Sequence, residues 1–374
     1  MKKIFFSIVA LAALAACSKT EVAYEQTADE IGFVAVANTL TKSPVSGDTY
    51  PTTLDMYVNA FVNAANVTTT TPDYFENVHF LHKSNNKWGG DPSQYWPNET
   101  ALKFSGYSIS GNIGEDNKGS YNPSTDVLTI TGYNPGTDAG EGKNDLMWFP
   151  ATGEYTKLSG KDGVTAQMYH TCSWITFLVQ GDAVTSLAGN EYTITSLEIN
   201  GVNMVGKVTC AGTAKDDENN SIPLSNANLK EFVKWTQLSN STAPYEVNVY
   251  TDGVSLVGTY TPGTPADGET PEIPESYSPK NIETNANTTT GGNIVVIPQK
   301  PGSISLAWTY KSPAGQPVED SATGLSLKLN DANTLDWEPG KHYVYTITVT
   351  ASEILIAPTP TEWVDGTSGS VTVQ

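Results

Sequence analysis

The stretch EIGFVAVANTLTKS, residues 30–43, decides how this chain is read. Ile31, Phe33 and Ala35 alternate with Gly32, Val34 and Val36, which is the period of two expected of a β-strand. Both faces carry apolar groups, so burial on at least one side is expected. Lys42-Ser43-Pro44 ends the run, and SPVSGD (43–48) consists largely of turn formers. Lys42 is the only basic residue between Lys19 and Lys83. A strand in front of a lone lysine is either a permanent member of a sheet or a segment meant to be cut away.

Upstream, MKKIFFSIVALAALAAC places Lys2 and Lys3 before an apolar run (residues 4–14) too short to span a bilayer. Leu14-Ala15-Ala16-Cys17 then matches a bacterial lipobox. Residues 1–16 are read as a lipoprotein signal peptide and Cys17 as the lipidated residue, whose thiol takes a diacylglyceryl group before acylation such as palmitate. Residues 17–30 lack any period and are read as a tether. Anchoring is expected through lipid, because no later apolar run is long enough to cross a membrane.

Downstream, short apolar runs alternate with Gly, Asn, Asp and Pro. TLDMYVNAFV (53–62), YFENVHFL, ALKFSGYSI, VLTITGY and DLMWFP form a first set. HTCSWITFLV (170–179), EYTITSLEINGVNMVGKVT, EFVKW, SISLAWTY, HYVYTITVT and ILIAP form a second. Amphipathic helical windows are almost absent, so the class is all-β, read as two sandwiches with a boundary near 160–166. That gives an N-terminal domain at 31–165 and a C-terminal domain at 166–374. The second is interrupted by a Pro- and acid-rich insertion at 261–292, which reads as an exposed loop.

The 374 residues are 38% hydrophobic and 10% aromatic, enough apolar material to exclude global disorder. The formal net charge is −20, and all 20 basic residues are lysine. A chain this acidic lacks the basic face that nucleic acid or an anionic membrane surface requires. Without arginine it has no bidentate guanidinium for carboxylate or phosphate recognition.

Chemistry is sparse. His79 and His82, three apart in a strand context, point to opposite faces and would not share a metal. No His-Glu-x-x-His, Cys-x-x-Cys, P-loop or nucleophile elbow occurs. Neither catalysis, a cofactor nor a metal is expected. Cys172 and Cys210 could pair in an oxidising envelope or pack as small apolar groups. Asp320-Ser321-Ala322 matches an O-glycosylation triplet used by some envelope bacteria, though a plain loop is the simpler reading. Trp88, Trp96, Trp148, Trp308, Trp337 and Trp363 offer either core packing or sugar-stacking platforms.

Three motifs carry a resemblance. KWGGDPSQYWPNETALKFSGYSI holds Trp88, Tyr95, Trp96, Pro97, Leu102, Phe104 and Tyr107. YHTCSWITFLV and WEPGKHYVYTITVT follow in order, with Trp363 in the tail. Together with the lipobox, the string resembles the fimbrillin family of type V pilus subunits. Cys172 and the Pro-rich insertion are departures from its pattern. The resemblance implies two tandem transthyretin-like Greek-key β-sandwich domains. It implies an outer-membrane lipoprotein precursor that becomes a cell-surface fimbrium supporting adhesion. A trypsin-like protease would cut after a basic residue beyond the first strand, here between Lys42 and Ser43. The displaced strand would carry Ile31, Phe33, Val34 and Val36. The donor strand of another pilin subunit would come from 353–374, through Ile354 and Ile356 or through Val371 and Val373. A shaft subunit is the leading role. A tip adhesin, an anchor subunit or a surface lipoprotein binding a host or bacterial glycan are the alternatives.

Overall fold

The computed structural model describes residues 29–37, 50–62, 70–84, 86–136, 144–181, 191–238, 294–311, 315–327, 336–349 and 354–362. It also describes five short strands between 245 and 283. The expected sites Cys17, Lys42, Ser43, Val371 and Val373 lie outside the described residues, as does Trp363.

The fold is all-β. The first strands in chain order are β1 (Gly32–Ala37), β2 (Met56–Val62), β3 (Phe75–Ser84), β4 (Lys87–Asp91) and β5 (Leu102–Ser108). Next come β6 (Ser120–Asn122), β7 (Val127–Tyr133), β8 (Met147–Phe149) and β9 (Val164–His170). Seven of these form a closed barrel in the order β1-β4-β3-β2-β5-β8-β9. Closure abolishes free edges. β1 makes it, lying antiparallel to β4 and parallel to β9. The barrel is filled from every strand, with Phe33, Met56, Phe80, Trp88, Phe104, Phe149 and Met168 all buried.

The chain continues with β10 (Ser173–Gly181), β11 (Glu191–Asn200), β12 (Gly206–Ala211), β13 (Ala214–Lys215) and β14 (Ser221–Ile222). A single helical turn, α1 (Leu229–Phe232), leads into β15 (Val233–Gln237). Then come β16 (Tyr245–Val247), β17 (Val254–Ser255), β18 (Thr259–Thr261), β19 (Ser276–Ser278), β20 (Ile282–Glu283) and β21 (Ile294–Val296). The last four are β22 (Ser303–Lys311), β23 (Val318–Ser326), β24 (Lys341–Val349) and β25 (Ile354–Glu362).

Two sheets built from these strands, β20-β10-β24-β25 and β16-β11-β22-β23, share one core, in which Phe177, Ile194, Leu306, Trp337, Tyr345 and Ile347 are buried. A further sheet, β15-β12-β7-β6, joins strands from both halves of the sequence: Cys210 of β12 pairs with Leu128 of β7. The boundary expected at 165/166 falls inside β9, whose Val164–His170 span belongs to the barrel. The Pro-rich insertion is not wholly loop. β18 and β19 pair with each other, and β20 pairs with β10.

Cys172 and Cys210 are buried free thiols. Burial pushes both well above the ordinary thiol range, so neither is a reactive thiolate at neutral pH. Addition of reductant is therefore expected to leave the melting temperature unchanged, and thiol reagents are expected to label the protein only after unfolding.

His342, at the start of β24, stacks on Trp174 with ring centroids 3.5 Å apart and 6° between planes, and its Nε2 lies 2.8 Å from Thr176 Oγ1. Burial lowers its pKa from 6.5 to about 3. The unfolded chain protonates this imidazole near pH 6.5, whereas the folded chain resists until about pH 3. The penalty is absent above pH 6.5 and grows as pH falls towards 3. From pH 7 to pH 5 the loss is about 2 kcal/mol. His342→Phe, which keeps a stacking ring, is expected to remove that part of the slope in denaturant titrations.

Candidate assembly site

β1 contributes to the barrel on two levels. Its inward positions are Ile31, Phe33, Ala35 and Ala37, all buried, whereas Val34 and Val36 are half-buried on the outer face. Full burial, worth roughly 1.5–3 kcal/mol for a large apolar side chain, therefore applies to Ile31 and Phe33 and only in part to the two valines. Phe33 sits at the centre of an aromatic cluster. Its ring centroid lies 5.0 Å from Phe80 and 5.3 Å from Phe104, both edge-to-face, and 6.1 Å from Phe149. Such edge contacts add to the area term.

The backbone of β1 is paired on both sides. Phe33 pairs with Trp88 on β4 and with Val164 on β9, and the β9 ladder continues to Ala37 opposite Met168. Before the strand, Ile31 N–H donates to Gln94 O at 2.7 Å and Trp96 N–H donates to Asp29 O at 2.9 Å. Asp29 also pairs with Lys157. Without β1, the facing edges of β4 and β9 would be unpaired and the aromatic cluster open to water, each a substantial cost.

The first of the three motifs builds the wall of this slot. Trp88 is fully buried on β4, faces Phe33, and donates its indole N–H to Leu54 O at 2.9 Å. Trp96 packs edge-on against Phe104 with centroids 5.7 Å apart. The chain at Gly160 presses on the Trp96 ring so closely that a Cβ there would lie 2.2 Å from Cζ2. Gly160→Val is expected to cost roughly 1–3 kcal/mol through this overlap, read as a lower midpoint in urea. Leu102, Phe104 and Tyr107 on β5 are fully buried, whereas Tyr95 is 55% exposed.

Most of the described tryptophans are core rather than platforms. Trp88, Trp96, Trp148, Trp174 and Trp337 are all buried, which leaves Trp235 and Trp308 part-exposed among the described residues. His79 bonds Asp55 through Nε2 at 2.8 Å, while His82 lies edge-on to Trp88. Among the described residues no group of three or more His, Cys, Asp or Glu is placed to hold a metal ion. Ser321 of the Asp-Ser-Ala triplet is exposed on β23, an edge strand rather than a loop.

At the other end of the chain, Ile354 and Ile356 fall in β25, opposite Val349 and Ile347 of β24. Among the described residues β25 is the edge of its sheet, with β24 as its only neighbour there.

A fimbrillin-like family model matches residues 41–363, most of the chain. The chain belongs to this fimbrillin-like family. A prokaryotic membrane lipoprotein lipid attachment site matches residues 1–18, which contain Cys17. β1 lies between the two matches. No curated protein matches the chain. Among solved structures, a fimbrial protein from Bacteroides vulgatus ATCC 8482 is similar at 14% identity with a TM-score of 0.51, over 90% of this chain and 99% of that one. A candidate cell adhesion protein from Bacteroides uniformis ATCC 8492 has a TM-score of 0.46 at 12% identity, over 89% and 99%. A fimbrial assembly protein from Parabacteroides distasonis ATCC 8503 has a TM-score of 0.35 at 11% identity, over 89% and 98%. The fimbrillin-like chain is thus a membrane-anchored lipoprotein of a fimbrial family, with an all-β fold shared with a fimbrial protein.

Proposed function

We propose that this fimbrillin-like protein is a shaft subunit of a surface fimbrium, assembled by proteolytic removal of β1 and donor-strand exchange. The chain reaches the outer membrane as a lipoprotein anchored through Cys17. A trypsin-like protease cuts the Lys42-Ser43 bond, and lipid and β1 leave together. The C-terminal segment of another subunit then fills the vacated slot by β-augmentation. The division into two transthyretin-like units belongs to the same proposal.

The observation that carries it is the position of β1, which closes the barrel between β4 and β9. A strand with two ladders and a buried aromatic anchor leaves a slot that only another strand can restore. Trypsin-like specificity requires a lysine or arginine, and Lys42 is the one basic residue between β1 and Lys83. Burial of five tryptophans disfavours the glycan-platform reading.

The test is limited trypsin digestion of purified precursor followed by gel electrophoresis without boiling. Ladders are expected to appear as residues 17–42 are released. Complete loss of β1 with the remainder staying monomeric would overturn the proposal.

A further inference from the structure

Two C-terminal segments compete for the slot, ILIAPTP at 354–360 and GSVTVQ at 369–374. Their prolines and the hydrogen-bond phase of β1 separate them, provided that donor-strand exchange itself holds.

The backbone groups of β1 divide between its two neighbours. Ile31 N–H donates towards Gln94, and Ala35 O accepts from Tyr50 N–H at 3.4 Å. Odd-numbered groups therefore point to the β4 side. By alternation, the even-numbered groups of residues 32, 34 and 36 serve the parallel ladder to β9. The antiparallel ladder to β4 ends at the Val34–Lys87 pair.

In β25, Pro358 and Pro360 stand opposite Tyr345 and Tyr343 within an unbroken run of pairs to β24. Proline has no N–H to donate, so both occupy non-hydrogen-bonded pairs of that ladder. Residues 355, 357, 359 and 361 thus bond β24, and residues 354, 356, 358 and 360 direct their backbone groups to the free edge.

We infer that residues 354–360 of a second copy of this chain replace residues 31–37 in one register, with Ile354 at the position of Ile31. In that register the prolines fall at positions 35 and 37, beyond the end of the β4 ladder, and the β9 ladder keeps its donors. A shift by one residue places the prolines on the β9 side and removes two N–H groups from that ladder in one direction and one in the other. A shift of two in one direction puts Pro358 at position 33, where Phe33 pairs with Trp88. A shift of two in the other puts Ser352 at the buried position of Ile31. The surviving register also keeps the inward order of two large residues followed by two small ones. Ile, Ile, Pro and Pro stand where Ile31, Phe33, Ala35 and Ala37 stood. The isoleucine at position 33 is smaller than phenylalanine, and the prolines are larger than the alanines they replace. GSVTVQ offers only Val371 and Val373 as apolar groups. In the acceptor barrel the donor segment lies between two strands, β4 and β9, whereas among the described residues β25 has β24 alone beside it.

The register makes Ala357 of the donor the neighbour of Thr165 of the acceptor, since Val34 pairs with Thr165, which is exposed. The test mixes two full-length variants, A357C and T165C, releases β1 with trypsin, and applies a short thiol-to-thiol cross-linker. The native Cys172 and Cys210 are buried and serve as a silent background. Covalent dimers are expected from this mixture and not from T359C or V371C mixed with T165C. Links through T359C or V371C instead, or assembly with no link through A357C, would overturn the register while leaving donor-strand exchange intact. If trypsin-treated wild-type chain does not assemble at all, the exchange fails and the register fails with it. If the A357C chain alone does not assemble, T359C, which the same register sets beside Gln167, is mixed with Q167C, and absence of that link overturns the inference.

Discussion

Lys42→Gln is expected to abolish assembly, leaving a lipidated monomer under conditions in which the wild-type chain forms ladders. A trypsin-like pocket binds its substrate through the positive charge at the cut site, and glutamine keeps the length but not the charge. No neighbouring lysine can substitute, because the nearest lie at Lys19 and Lys83. Cleavage after Lys19 would leave β1 attached, and cleavage after Lys83 would cut within β3 and break the barrel. Lys42→Arg should restore ladders, since arginine satisfies the same pocket. Ser43→Pro should block them, because proline directly after the cut site obstructs such enzymes. The readout is the fraction of polymer on an unboiled gel. Polymer from the Lys42→Gln chain with β1 still attached would show that cleavage at this bond is not the trigger.

Trp88→Ala is expected to lower stability by about 3–5 kcal/mol, the range for deleting a large buried aromatic. Trp88 is fully buried, lies opposite Phe33 of β1, and packs against Tyr50 and His82 with centroids at 5.3 Å in each case. Its loss also leaves Leu54 O without the indole donor. Urea unfolding monitored by far-UV circular dichroism measures the shift. A Trp88→Ala chain as stable as wild type, yet unable to bind a glycan, would instead return Trp88 to the role of a sugar platform. The pairing of Trp88 with Phe33 makes the same substitution weaken the hold on β1. Partial ladder formation at lower protease dose is the expected companion effect.

The class of the fold and the existence of β1 were legible because both rest on local period. Ile31, Phe33 and Ala35 alternate with their neighbours regardless of what they meet. The partners of β1 were not legible. Val164, opposite Phe33, lies more than a hundred residues away, and nothing in a period of two names the strand that will pair. For the same reason the grouping of strands into two sets points to a boundary near 160–166 without showing that β9, at Val164–His170, runs across it. β7 and β12 formed one sheet across it. Val34 and Val36 illustrate a second limit. An apolar run on both faces signals burial without saying which face is sealed, and it is Ala35 and Ala37, the smaller residues, that point into the barrel. The tryptophans show a third, since an aromatic between turn formers reads equally well as a platform or as a plug until its neighbours are known. The lipobox needed no such context, because a signal peptidase reads it in an extended chain.

The central claim is that β1 is a temporary occupant of the barrel. N-terminal sequencing of fimbrial material sheared from cells tests it most directly. The account predicts subunits that begin at Ser43. Polymerised subunits that still carry residues 31–37 would contradict it.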